Sequence, residues 1–130
     1  MNTIYGFGKS IDMAFDDAVA RVVQALQTEG FGVLTDIDIS ATMKKKLNQD
    51  MRPYRILGAC NPSLAHRAME LEPSIGLLLP CNVVVREDAA AAVHVEFMDP
   101  SAVLDMVNNP AVSAVAREVR QRLERVMESL

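Results

Sequence analysis

Residues 54–62 read Tyr-Arg-Ile-Leu-Gly-Ala-Cys-Asn-Pro, and this stretch decides the fold because it contains a strand, its end and a helix start. β-forming residues lead to Cys60, where the strand is predicted to end. Asn61 is a favoured helix N-cap, and Pro62 suits the first helical position because its φ angle is fixed. The stretch therefore predicts a strand that passes directly into a short helix.

A second Cys-Asn pair, Cys81-Asn82, follows a proline and opens the apolar run Val83–Val85. Cys60 and Cys81 are the two cysteines of the chain. If their strands are antiparallel neighbours, the end of the first lies beside the start of the second, and the two thiols come together. A parallel pairing would instead place the thiols at opposite ends of their strands. The topology of this strand pair is therefore also a test of the site.

The patterns on either side of these pairs predict the other elements of the chain. They are a strand at Thr3–Phe7, a helix capped by Ser10 and stopped by Gly30, a strand from Phe31 to Ile37, a weak helix at Ser40–Asn48, an apolar loop or short turn at Ile75–Leu79, a hairpin turning near Asp88–Ala90, and helices opened by Asp99-Pro100 and Asn109-Pro110. The short helix after Cys60 has an apolar stripe of Leu64, Ala65, Ala68 and Met69. This order predicts an α+β fold, an antiparallel sheet with helices packed on one face, as a single domain over residues 1–130.

Composition narrows the classes of partner. The chain has 130 residues, is 50% apolar and 5% aromatic, and carries a formal net charge of -4. An acidic chain with few aromatic rings is not typical of a nucleic-acid binder. No apolar run approaches the length of a membrane span, and the N-terminus has no secretory pattern. We therefore expect no nucleic acid and no membrane as partners, and a cytoplasmic location, where thiols are kept reduced.

The position of Cys60 before a helix start suggests reactive chemistry. The positive end of the helix dipole favours thiolate over thiol, and a thiolate serves as a nucleophile, a redox centre or a soft metal ligand. The alternative is structural, because free cysteine often behaves as a small buried hydrophobic residue. Both interpretations stay open from the sequence alone.

The candidate site residues follow from this junction. We predict Cys60, Asn61, Cys81, Asn82 and Arg55 as ligand-binding residues, the last because it belongs to a locally basic segment near the junction. For a metal, Cys60, Cys81 and His66 would suit a thiophilic ion such as copper(I), whereas the spacing lacks the short paired repeats of zinc sites. The cofactor is otherwise unknown.

Three segments resemble a known family. Residues 54–62, residues 72–83 and the pair Asp99-Pro100 are similar to the bacterial family called domain of unknown function 302. The resemblance implies a compact α+β fold with a sheet backed by helices, similar to the TATA-box-binding-protein-like class, and a homodimer. It implies no established activity.

Three functions remain as hypotheses. The leading one is a cytoplasmic, dimeric binding module with a pocket at the Cys60/Cys81 junction for a small ligand or a thiophilic metal ion. The alternative is a thiol-dependent redox enzyme in which Cys60 attacks and Cys81 resolves. The third is a homodimeric interaction domain with structural cysteines, in which a second copy covers the apolar surface formed by Ile75–Leu79 and the valine-rich strand.

Overall fold

A five-stranded antiparallel sheet forms the centre of the computed structural model, which describes residues 2–130. The strands are β1 (Gly6–Ile11), β2 (Gly32–Asp38), β3 (Tyr54–Cys60), β4 (Cys81–Glu87) and β5 (Val93–Met98). Their order across the sheet is β1-β5-β4-β3-β2, and every neighbouring pair is antiparallel. The predicted α+β class is therefore confirmed.

Five α-helices connect or follow these strands. They are α1 (Phe15–Thr28), α2 (Ile39–Leu47), α3 (Pro62–Leu71), α4 (Pro100–Leu104) and α5 (Pro110–Glu128), with short 3-10 helices at Pro73–Leu78 and Asp105–Val107. The α-helices and strands follow in the order that the sequence predicts. Within residues 2–130, no helix combines the length and the apolar character that crossing a bilayer requires.

The core lies between one face of the sheet and the two long helices. Because side chains alternate along a strand, residues 81, 83 and 85 of β4 and residues 93, 95 and 97 of β5 all point to this face, and all are buried. α1 contributes the buried stripe Ala18, Val19, Val22, Ala25 and Leu26, and α5 contributes Val112, Val115, Ala116, Val119, Leu123 and Val126. The helical spacing of both stripes explains why these segments fold as helices against a sheet.

Three helices begin at an Asn-Pro or Asp-Pro pair, as the sequence predicts. The Asn61 side chain accepts a hydrogen bond from the backbone N–H of Leu64, and Asp99 and Asn109 accept equivalent bonds at the starts of α4 and α5. Each cap satisfies a backbone donor that the helix cannot satisfy itself. These pairs fix where α3, α4 and α5 leave the preceding strand or turn.

Two local predictions are wrong. The first strand is Gly6–Ile11 instead of Thr3–Phe7, because its partner β5 extends pairing to Ser10 and Ile11. Ser10 is therefore a strand residue, and Ala14 occupies the N-cap of α1 without a side-chain hydrogen bond. The segment Ile75–Leu79, predicted as a loop or short turn, lies mostly in the 3-10 helix Pro73–Leu78, since Pro73 provides a helical first position.

Gly8 allows β1 to approach β5 closely. A Cβ atom at Gly8 would lie 2.8 Å from the Cα atom of Glu96 and still closer to the carbonyl oxygen of Val95. Both obstructions are backbone atoms of the neighbouring strand, so they cannot move by a change of rotamer. By contrast, a Cβ atom at Gly32 meets no atom within 4 Å.

Gly8→Ala is therefore expected to lower the free energy of unfolding by about 1–3 kcal/mol, because β1 must shift away from β5. The matched control Gly32→Ala is expected to change it by less than about 1 kcal/mol, since it only removes backbone freedom from the unfolded chain. Urea denaturation of the two variants measures both values. Equal effects at the two positions would contradict the close approach of the strands.

Candidate functional site

A cavity of about 280 Å³ lies where the end of β3, the start of β4, α3 and α5 meet. Its wall is almost entirely apolar, and it includes both cysteines. Leu34 and Met69 also line it, and they are 67% and 44% exposed. The cavity is therefore open to solvent on one side and closed by the core on the other.

The pairing of β3 with β4 brings the two cysteines to this cavity. Ala59 lies directly opposite Cys81 in the antiparallel register, so Cys60 is one residue past the paired position. Cys81 is buried and Cys60 is partly buried. The antiparallel arrangement that the sequence left as a test is thus the one observed, and both thiols line the same cavity.

Gly58 provides the room that this junction needs. A Cβ atom at Gly58 would lie 2.9 Å from the Cγ atom of Pro80 and would collide with the side chain of Thr35 on β2. Pro80 therefore packs against the backbone of β3, immediately before Cys81. Because Gly58 has no side chain, the chain that leaves the sheet after β3 can return through Pro80 directly beside β3.

Asn61 holds the cavity wall and has little hydrogen-bonding capacity left for a ligand. Its side chain is buried, with 7% of its surface exposed. The Oδ1 atom accepts hydrogen bonds from the Leu64 N–H and the Ser63 hydroxyl, and the Nδ2 atom donates to the carbonyl oxygen of Glu29 at 3.4 Å. Asn61 therefore caps α3 and ties it to the end of α1.

Both thiols are held in the protonated form. Burial raises the pKa of Cys60, and it raises the pKa of Cys81 to about 12, with a further increase from the neighbouring Cys60. No cationic side chain acts in the opposite direction on either thiol among the described residues. The stabilisation of a Cys60 thiolate by the start of α3 is therefore not found. Burial disfavours the charged form of the sulfur, and the backbone N–H of Leu64 at the helix start is bound by the Asn61 side chain instead.

Three of the predicted site residues lie away from the cavity. Asn82 is exposed on the opposite face of the sheet from Cys81, because adjacent strand residues point to opposite faces. Arg55 forms a two-point ion pair with Asp36 on β2, with Nε 2.7 Å from Oδ1. His66 is largely exposed on α3, and its Nδ1 atom is 3.0 Å from the Glu70 carboxylate.

The three donors predicted for a thiophilic ion do not come together. His66 does not line the cavity, whereas Cys60 and Cys81 do. Within residues 2–130, no group of three or more His, Cys, Asp and Glu side chains is placed to hold a metal ion.

Sequence reasoning missed part of the wall. The sequence predicts the apolar stripe of α3 but not its place in the site, whereas Leu64, Ala65, Ala68 and Met69 all line the cavity. The opposite wall comes from Val115 and Val119 on α5, together with Phe31 and Leu104. The periodicity of α5 marks these valines as inward-facing, but it does not indicate that they face a cavity.

Cys81 is expected to make stability fall at alkaline pH. Its thiol ionises near pH 9 in the unfolded chain and near pH 12 in the folded protein, so the unfolded state binds fewer protons between these values. The free energy of unfolding should therefore decrease as pH rises from 9 towards 12, by up to about 1.4 kcal/mol per pH unit for this group. Below pH 9 the group adds no slope.

Urea denaturation of the wild type and of Cys81→Ala at pH 8 and pH 10.5, with reductant present, measures this difference. The variant should show the smaller loss of stability between the two pH values, whatever its absolute stability. Equal losses would mean that the buried thiol titrates normally.

Comparisons with known proteins identify the family and agree with the fold. The family model named domain of unknown function DUF302 matches residues 7–130. The crystal structure of an uncharacterised conserved DUF302 protein from Bacillus stearothermophilus superposes with a TM-score of 0.90 at 25% sequence identity, covering 97% of this chain and 98% of that one. The search of curated proteins found no match. The chain therefore belongs to the DUF302 family.

Proposed function

We propose that this protein is a binding module for a small, uncharged, largely apolar molecule held in the cavity at the Cys60/Cys81 junction. The observation that supports it is an apolar cavity that opens to solvent. Contact between water and an apolar wall of this kind is unfavourable, so an apolar ligand that displaces the water gains free energy. Small-molecule sites in proteins are usually concave and lined mainly by apolar side chains.

The chemistry of the wall restricts the ligand. Among the described residues the lining includes no Asp, Glu, Lys, Arg or His, and both polar side-chain atoms of Asn61 form hydrogen bonds within the protein. A charged group would lose its hydration without finding a partner there. The volume of about 280 Å³ is near the lower limit of roughly 300 Å³ for ligand pockets, so the ligand is smaller than a typical drug.

The redox alternative has weaker support. A thiol-dependent enzyme needs a nucleophilic thiolate at neutral pH, and burial raises the pKa of both Cys60 and Cys81.

The interaction-domain alternative predicts that no ligand binds to the two thiols or in the cavity. A binding measurement separates it from the module proposed here.

Ala65→Leu tests the binding module. Ala65 lies in the wall on α3, and the larger side chain should fill part of the cavity. We expect the affinity for 2-phenylethanol or 2-cyclohexylethanol, two uncharged probes of suitable size, to fall at least tenfold. Titration of a ¹⁵N-labelled sample by NMR measures the dissociation constant, and urea denaturation checks the fold.

The matched control is Ala20→Leu on the exposed surface of α1, which should leave binding unchanged. Met69→Lys gives a second test at the partly exposed mouth, where a charge should weaken binding and folding should tolerate it. If neither probe binds the wild type, or if Ala65→Leu and Met69→Lys bind as the wild type does, the proposal is wrong.

We also propose that two copies of the chain associate through the sheet face that the helices leave uncovered. Tyr54, Ile56 and Val84 lie on this face and are half-buried in the single chain. Arg86 and Glu96 form an ion pair beside them, with Nε 2.6 Å from Oε1, so the face carries little net charge. A face that combines partly buried apolar side chains with paired charges suits a second copy of itself.

Sedimentation velocity is expected to give twice the mass of one chain for the wild type, and half of that value for Val84→Lys. Met106→Lys places the same charge at an exposed apolar residue outside the sheet, and it should remain dimeric. A wild-type monomer at the concentrations used for NMR would refute the association.

A further inference from the structure

Three sulfur-containing residues line the cavity. Cys60, Cys81 and Met69 line it from the end of β3, the start of β4 and α3 respectively, and the ring of Phe31 contributes a fourth polarisable group. Thioether and thiol sulfur make favourable contacts with the edges of aromatic rings, and aromatic rings also pair favourably with one another. Saturated hydrocarbons gain neither contact.

The two cysteine sulfurs are in the form that such contacts require. Both thiols are neutral at physiological pH because the surrounding apolar groups desolvate them. A neutral thiol can approach a ring closely, whereas a thiolate would be repelled by the electron-rich face of the ring. The remaining wall consists of aliphatic side chains that accept any apolar surface.

We infer that the cavity selects an aromatic ring over a saturated ring of the same carbon skeleton, through contacts with Cys60, Cys81 and Met69. This inference rests on the proposed binding function and names the class of ligand for the same cavity. An uncharged single-ring aromatic compound is the ligand that the wall fits best. A saturated ring of equal skeleton fills the space without the sulfur contacts.

The two probes 2-phenylethanol and 2-cyclohexylethanol test the selectivity. The saturated ring buries more apolar surface, so hydrophobic burial alone ranks 2-cyclohexylethanol as the tighter ligand. Favourable contacts between the sulfur atoms and the aromatic ring would reverse that order. We expect 2-phenylethanol to bind about fivefold to tenfold more tightly than 2-cyclohexylethanol, a ratio that one or two sulfur–aromatic contacts can produce. NMR titration of the wild type with each alcohol measures the ratio.

The variant Met69→Leu with Cys60→Ala removes two of the sulfur atoms while the wall stays apolar. It should bind 2-phenylethanol several-fold more weakly and 2-cyclohexylethanol about as well as the wild type does. Met106→Leu removes a sulfur at an exposed position outside the cavity, and it should keep the wild-type ratio. The single variant Met69→Leu, at a partly exposed position, keeps the test valid if the double variant does not fold.

The outcomes separate the two claims. If neither alcohol binds, the proposed function fails, and this inference fails with it. If both bind but the saturated alcohol binds as tightly or more tightly, the aromatic preference is wrong while the binding module stands. If the preference is present but unchanged in both sulfur variants, its assignment to Cys60 and Met69 is overturned.

Discussion

The antiparallel register of β3 and β4 is the constraint on which the site depends. With Ala59 opposite Cys81, the chain must leave the sheet at Cys60 and return to it one position away. Residues 61–80 must therefore form a closed excursion at one end of the sheet. α3 and the following 3-10 helix make this excursion, and the space that they leave above the sheet is the cavity.

The excursion is fixed by hydrogen bonds at its start and by close packing at its end. At the start, the Asn61 side chain caps α3 and reaches the last turn of α1 through the carbonyl oxygen of Glu29. At the end, Pro80 packs against β3 where Gly58 has no side chain. The wall itself is then free to be apolar, and the burial that results keeps both thiols protonated.

The sequence predicts the fold well where its signals are local. The Asn-Pro and Asp-Pro pairs mark helix starts correctly, because an N-cap and a fixed φ angle act within one turn of chain. Ser10 was misread as a cap because pairing with β5, a contact remote in sequence, extends the first strand. The sequence predicts that the two cysteines come together only if their strands are antiparallel neighbours, and the observed pairing is antiparallel, with both cysteines lining the cavity.

The site was predicted less completely than the fold. Strand alternation by itself places Asn82 on the opposite face from Cys81, and Arg55 lies five residues from Cys60, roughly 16 Å along an extended strand. These two exclusions were available from the sequence. The contribution of Val115 and Val119 was not, because it depends on how α5 crosses α3, and no local pattern encodes a crossing of two helices.

The excursion between β3 and β4 has a consequence for how this architecture diversifies. One wall of the cavity comes from a single continuous segment, and the strands that carry this segment are held by ladders to β2 and β5. Replacements within α3 can therefore remodel the chamber while the scaffold keeps its pairing. Substitutions confined to the ten positions of α3 would change the volume and lining of the chamber without altering the strand pairing, as loops on rigid scaffolds vary while the scaffold is kept.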